Sequence, residues 1–314
     1  MNKAITRFAP SPNGLLHVGH AFSALFSARL AQDLGGTFLL RIEDIDTTRA
    51  RREFVRGIFD DLQWLGLHWP RPVRFQSRHM DAYCKALKTL HGMGLLYPCT
   101  CTRKRLRETV SHLADHPADP DGALLYPGLC RPRDEKGHTG QTPCRHHGIE
   151  PGKPLPPAWR LDMDKALALA SRKLGGDIAW RELGHGPGGE TGTIHADPAR
   201  WGDVILGRRD IGVSYHVAVV IDDALQGVTH VTRGQDLFHA TAIHRLLQVL
   251  LELPQPAYVH HRLITDAEGR KLSKSLNNAV PATAGLPATT LKALREAGMT
   301  AAQLRALLGF ATER

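Results

Sequence analysis

The sequence predicts an α/β fold: a parallel sheet flanked by helices and interrupted by a smaller inserted domain. Three observations carry that reading. Short apolar runs alternate with helical patterns over the first 65 residues. Between about residues 97 and 200 the texture changes, with Gly, Pro and His frequent and regular elements short. Strongly apolar elements then return from about Ser214 onwards. Alternation of strands and helices is the pattern of a parallel sheet. A chain of 314 residues can build one large or two modest domains with real cores.

Taken in order, Ile5 to Ala9 is a short apolar strand, and the PSPNG that follows is turn chemistry. Ala21 to Leu34 shows helical spacing of apolar residues, stopped by Gly35-Gly36. TFLLRIED from Thr37 reads as a strand of parallel-sheet character, and Thr48 to Leu65 as a helix with a basic first half. Ser214 to Asp222 (SYHVAVVID) reads as another strand, and His239 to Leu253 as an amphipathic helix. Leu291 to Leu308 closes the chain with one or two helices.

Composition is that of an ordinary globular protein, 42% hydrophobic and 23% charged. No apolar run approaches the roughly 18 residues that a membrane span needs, and MNKAITRFAP lacks the apolar core of a secretory signal. A cytoplasmic protein is expected. Net charge is +9, which suits a polyanion partner when the cations cluster. They do so at Arg49, Arg51, Arg52 and Arg56, and again at Arg103, Lys104, Arg105 and Arg107.

Five cysteines, an odd number in such a chain, do not suggest a disulfide framework. Cys84 stands alone in a predicted helix as a buried small hydrophobe. Cys99, Cys101, Cys130 and Cys144 fall within 46 residues. Thiolates at C-x-C spacing with a third nearby suggest a tetrahedral structural zinc. Read from the residues alone, Cys144, His146 or His147 would complete it more conventionally than a phenol.

Two strings near opposite ends of the chain carry further chemistry. In HVGH, His17 and His20 share one face at the start of a helix, where unpaired N–H groups and the positive dipole end favour phosphate. Gly19 allows close approach of a ligand to the backbone. About 250 residues later, KLSKS places Lys271 and Lys274 on a loop able to close over pyrophosphate.

Together with RFAPSPNGLLHVGH, LLRIEDIDTTR and YHVAVVIDDALQGVTHVTRGQDL, these strings resemble the catalytic core of the glutamyl/glutaminyl branch of class I aminoacyl-tRNA synthetases. The C-x-C…Y-x3-C arrangement is similar to that of the glutamyl-Q tRNA(Asp) synthetase family, shortened relatives of glutamyl-tRNA synthetase. The resemblance implies a Rossmann-like catalytic domain over residues 1–96 and 200–285, a zinc-bearing insert over 97–199 and a helical segment over 286–314. It leaves about 40 residues after KLSKS, with no room for an anticodon-binding domain.

What the resemblance implies for chemistry is specific. L-glutamate would be activated by ATP with Mg2+, and glutamate transferred to queuosine at the wobble position of tRNA(Asp), whose anticodon loop would be the partner of a monomeric enzyme. His17, Gly19, His20, Lys271 and Lys274 would handle ATP. Arg7, Phe8, Ala9, Pro10, Ser11, Glu43, Tyr215 and Arg233 would line the glutamate pocket. Cys99, Cys101, Tyr126 and Cys130 would hold Zn2+. Arginine can grip a carboxylate bidentately, although residues alone allow Arg7 and Glu43 to be a structural ion pair. Position 216 is His where glutamyl enzymes resemble YNFA. A glutamyl-tRNA synthetase core charging a 3′ end, and a non-catalytic RNA-binding relative, are the alternative readings.

Overall fold

The computed structural model describes residues 3–110, 117–132, 143, 156–264 and 290–310. Strand β1 (Ile5–Phe8) leads into helix α1 (Val18–Asp33), and β2 (Thr37–Ile42) pairs with β1 in parallel, Ile5 facing Thr37. Helix α1 begins three residues before the predicted Ala21, because His17 caps it: its backbone is extended and its imidazole accepts from the Gly19 N–H. Helix α2 (Arg52–Trp64) follows the basic turn, and β3 (Arg74–Phe75) pairs with β2 in parallel. Residues Phe22, Leu25, Leu40, Ile58 and Leu62 close one core between α1, α2 and the sheet. Each such side chain contributes about 1.5–3 kcal/mol on burial.

Helix α3 (Met80–Gly92) turns the chain into β4 (Leu96–Cys99) and the basic helix α4 (Arg103–Val110). Next come β5 (Ala158–Leu161), α5 (Met163–Leu174), β6 (Ala179–Glu182), β7 (Gly192–His195) and β8 (Ile205–Gly207). Strands β4, β5 and β8 form a small antiparallel sheet that carries the Cys99 segment at its edge. Strands β6 and β7, inside the range expected to be an insert, instead extend the main sheet: β6 pairs in parallel with β10 (Ala257–His261) at Tyr258 and Glu182.

Between them in sequence lie α6 (Tyr215–Leu225), β9 (His230–Gly234) and α7 (Thr241–Leu250), the last within the predicted amphipathic helix. Strands β9 and β10 pair in parallel. Strand β1 lies beside β9, the Thr229 N–H donating to the Ile5 carbonyl at 3.0 Å.

The segment Ser214 to Asp222 is not the strand that its sequence predicts; all but its first residue lies in α6. An unbroken apolar run has no period to distinguish a buried strand from a buried helix. Here Val217 to Ile221 are buried on every side, against α3 and α7. The helix also lets Asp222 reach Arg74 and Asp223 reach Arg7, with Arg41 between them, as described below. Cys84 is buried in α3 but is not a free thiol: it is disulfide-bonded. The two predicted terminal helices are α8 (Leu291–Glu296) and α9 (Ala301–Leu307), capped by the hydroxyls of Thr290 and Thr300. They dock on α2 through Arg295–Asp61 at 3.0 Å and Arg305 to the Leu65 carbonyl at 3.0 Å. No helix among the described residues is long and apolar enough to cross a membrane.

Candidate active site and metal centre

The carboxyl ends of β1, β2, β9 and β10 and the start of α1 enclose a cleft of about 400 Å³. Such a crevice is where open α/β sheets bind ligands. Arg7, Phe8, Ala9, Pro10, Ser11, His17, Gly19, His20, Glu43, Tyr215 and Arg233 all line it. Lys271 and Lys274 lie outside the described residues. The described residues that flank them lie in or near the cleft. Ile264 lines it, and Leu291 donates its N–H to the Leu16 carbonyl at 2.8 Å, next to His17.

His17 and His20 form a reciprocal cap. The Gly19 N–H donates to His17 Nδ1 at 3.1 Å, and the His17 N–H to His20 Nδ1 at 3.2 Å. Both Nδ1 atoms therefore accept, so each neutral ring carries its proton on Nε2, a donor suited to phosphate oxygen. Glycine at 19 suits this cap as well: a Cβ there would stand 3.0 Å from His17 Cε1 and 3.2 Å from Nδ1, so the ring would have to shift.

Buried charges below the cleft follow a pattern that sequence reading missed. Arg7 and Glu43 are not each other's ion pair. Arg7 Nε donates to Asp223 at 3.0 Å, its Nη2 to the second Asp223 oxygen at 3.4 Å, and its Nη1 to the Thr232 carbonyl at 2.8 Å. Glu43 is held by Arg41 Nη2 at 3.1 Å, and Arg41 Nη1 donates to Asp223 at 2.7 Å. Asp222, on the next position of α6, takes Arg74 Nε at 2.6 Å, Gln76 at 2.9 Å and the Tyr83 hydroxyl at 2.9 Å.

Burial works against the Asp223 carboxylate, but Arg7 and Arg41 outweigh it and hold its pKa below the ordinary range. Burial raises that of Glu43, opposed by Arg41 and Arg7. An ammonium placed beside Glu43 would favour its charged form. Asp222 and Asp223 stood in the IDD of the quoted string, but nothing in their spacing says which arginines they meet.

Arg233 is built differently. Its Nε donates to His260 Nε2 at 3.1 Å, its Nη1 to His244 Nδ1 at 2.9 Å and its Nη2 to Thr241 Oγ1 at 2.6 Å. Tyr215 lies with its ring against His216 and His244, 5.7 and 5.6 Å between centroids. A smaller cleft of about 120 Å³ shares Ser11, Asn13, Glu43 and Tyr215 and opens towards Asp46, Arg49 and Arg208.

The cysteine cluster lies beyond the small sheet. Cys99, Cys101 and Cys130 present sulfur atoms within 4.8 Å of one another. Tyr126 Oη lies 3.5 Å from Cys99 Sγ and 3.9 Å from Cys101 Sγ, and Cys101 and Cys130 Sγ are 3.5 Å apart. A tetrahedral zinc with three thiolates and one oxygen sets ligand-to-ligand edges of about 3.5–3.8 Å, so the donor set fits that ion. Arg160 donates to Cys99 Sγ at 3.4 Å and lies 3.7 Å over the Tyr126 ring, while Arg209 holds the Cys99 and Cys101 carbonyls. Cys144, His146 and His147 lie outside the described residues.

The family model of class I tRNA synthetases (E and Q), catalytic domain, matches residues 3–122 and 190–311. Cys99 and Cys101 fall within the match, Tyr126 and Cys130 in its gap. The chain is 44% identical to the glutamyl-Q tRNA(Asp) synthetase of Rhodobacter capsulatus, over 97% of this chain and 99% of that one. It is 39% identical to the protein of the same name from Leptothrix cholodnii, over 91% and 87% of the two chains. A glutamate-tRNA synthetase structure from Elizabethkingia anophelis superposes with a TM-score of 0.68 at 24% identity. That likeness covers 96% of this chain and 60% of the other, and it shows the shared fold.

Proposed function

The chain belongs to the class I tRNA synthetases (E and Q), and we propose that it is an ATP-dependent ligase joining L-glutamate to the queuosine of tRNA(Asp) at the wobble position. One observation carries this reading above the others: the match to a glutamyl-Q tRNA(Asp) synthetase extends over 99% of that relative's length at 44% identity.

The cleft supports a residue-by-residue mechanism. Class I synthetases use ATP with Mg2+, and the two imidazole Nε2–H donors at the start of α1 suit the phosphate oxygens of ATP. Arg7 and Arg233 face an amino-acid side-chain carboxylate, and Glu43 faces its ammonium group. Phe8, Ala9, Pro10, Ser11 and Tyr215 form the walls. The α-carboxylate oxygen then attacks the α-phosphorus, the bond to the bridging oxygen breaks, and pyrophosphate leaves. Lys271 and Lys274 neutralise that leaving group. In the second step an acceptor hydroxyl attacks the carbonyl carbon of the adenylate, and AMP departs. The smaller cleft beside Glu43 and Tyr215, with Arg49 and Arg208 at its mouth, is our route for the acceptor nucleotide of an anticodon loop.

We assign Cys99, Cys101, Tyr126 and Cys130 to one structural zinc, which would tie together an insert built around the small antiparallel sheet. A monomer in the cytoplasm fits the relatives' class. The test is to incubate the protein with ATP, Mg2+, labelled glutamate and tRNA(Asp) with and without queuosine, then digest and locate the label. Label on the queuosine nucleoside alone is expected. Label on the terminal adenosine would make the chain a 3′-charging synthetase, and absence of adenylate would make it a non-catalytic RNA-binding relative.

A further inference from the structure

Three buried arginines lie in or beneath the cleft, and two of them spend their charge on carboxylates. Arg7 meets Asp223, and Arg41 meets Asp223, Glu43 and Asp222. Arg233 is 5% exposed and, among the described residues, forms no salt bridge at all. Its three hydrogen-bond partners are two imidazoles and a hydroxyl.

A guanidinium only donates, and this fixes the protons around it. His260 Nε2 accepts from Arg233, so its proton sits on Nδ1 and is donated to Glu182 Oε2 at 2.6 Å. The other Glu182 oxygen accepts the backbone N–H groups of His260 and Gly184, each at 2.9 Å. His244 Nδ1 accepts from Arg233, so its proton sits on Nε2 and is donated to His216 Nδ1 at 3.1 Å. Glu182, His244 and His260 are all buried to within 2%. Burial, reinforced by the charge of Arg233, holds His244 well below its usual range. The same burial brings His260 down to about 4, against the pull of Glu182, so both rings are neutral near pH 7.

We propose that His244 and His260, with Glu182 behind, are positioning residues that scaffold Arg233 through neutral acceptors and leave its positive charge for the substrate's side-chain carboxylate. Three N–H groups are held by the protein, and one hydrogen on each terminal nitrogen remains for a ligand, the fork that grips a carboxylate. A carboxylate in place of either imidazole would hold the guanidinium equally well but cancel its charge. The scaffold thereby sets the preference for an acid over the isosteric amide. The inference rests on the reading that this cleft takes glutamate.

The decisive comparison is His244→Asp against His244→Asn in ATP–pyrophosphate exchange, with KM and kcat measured for glutamate and for glutamine. Asp places an anion on Arg233, whereas Asn keeps a neutral acceptor near the position of Nδ1. His244→Asp is expected to raise KM for glutamate about tenfold or more, beyond any fall in kcat, and to shrink the glutamate-over-glutamine ratio. His244→Asn is expected to recover most of that ratio. Equal ratios in the two variants would overturn the proposal.

Should the variants fail to fold, nitrogen-15 histidine spectra of the wild type decide the matter. One neutral ring protonated on Nδ1 (His260) and one on Nε2 (His244) are expected, and a cationic ring at either position at pH 7 would overturn it. Wild-type exchange with a different amino acid would instead count against the glutamate reading, and the spectra would still report whether the scaffold is neutral.

Discussion

Replacing Asp223 by Asn removes one negative charge from between two buried cations. Asp223 is 6% exposed and accepts from Arg7 at 3.0 and 3.4 Å and from Arg41 at 2.7 Å. Breaking a buried ion pair by removing one partner costs about 3–5 kcal/mol. The low end applies here. Arg41 keeps Glu43 at 3.1 Å and the Asp222 carboxylate at 3.7 Å, and the Asn carbonyl can still accept one N–H. Arg7 keeps only the Thr232 carbonyl.

A loss of about 3 kcal/mol is therefore expected, against a total stability of roughly 5–15 kcal/mol for a folded domain. The variant should fold and be measurably weaker. Urea unfolding at pH 7, followed by far-ultraviolet circular dichroism, reads this as a lower midpoint.

The pH dependence gives a second, independent reading. The folded-state pKa of Asp223 is lowered from the ordinary 3.8. Its contribution is then fully present above that value and lost as pH falls through the lower folded value. The gap between wild type and Asp223→Asn should stay constant from pH 7 to about 5 and narrow only in stronger acid. A difference below about 0.5 kcal/mol at pH 7, where unremarkable surface substitutions fall, would refute the account of Asp223 as the shared counter-ion.

Further predictions follow from other parts of the molecule. Gly19→Ala would push the His17 ring out of its cap, since the new Cβ meets it at 3.0 Å; KM for ATP should rise, with a stability loss of about 1 kcal/mol for the damaged cap. Lys274→Ala should cripple pyrophosphate exchange while the circular dichroism spectrum is unchanged; undiminished exchange would remove this lysine from the mechanism. Protein purified without chelator should carry about one zinc per chain by elemental analysis, and chelation should lower Tm. Tyr126→Phe keeps the ring under Arg160 but removes the oxygen, so zinc affinity should fall; unchanged affinity would assign the fourth ligand to another group.

The walls of the cleft were legible because their residues sit in short contiguous strings: RFAPS, HVGH, IEDID and VTRGQD all contribute to the same rim. The arrangement beneath that rim was not. Arg7 meets Asp223 and not Glu43, and no local pattern reports a partner 216 residues away. His244 and His260 were unremarkable residues in an amphipathic helix and an apolar strand, and their role appears only once β9, β10 and α7 pack together.

The misreading of Ser214 to Asp222 has a related cause. A wholly buried run of Val, Ala and Ile has no polar face, so its period carries no information, and packing against α3 and α7 decides its form. An insert was expected over 97–199 from its Gly and Pro content, yet β6 and β7 within that range pair with the main sheet, because composition reports loop density and not strand pairing.

Asp223 also imposes an order on synthesis. Its bonds to Arg7 and Arg41 span 216 and 182 residues. A ribosome emits the two cations long before the carboxylate that compensates them. Arg41 has Glu43 two residues further on from the start, but until α6 emerges β1 cannot bury the Arg7 guanidinium beside its carboxylate. Strands β9 and β10, which complete the cleft, follow Asp223 in the chain, so the pocket closes around an arginine whose counter-ion has already been made.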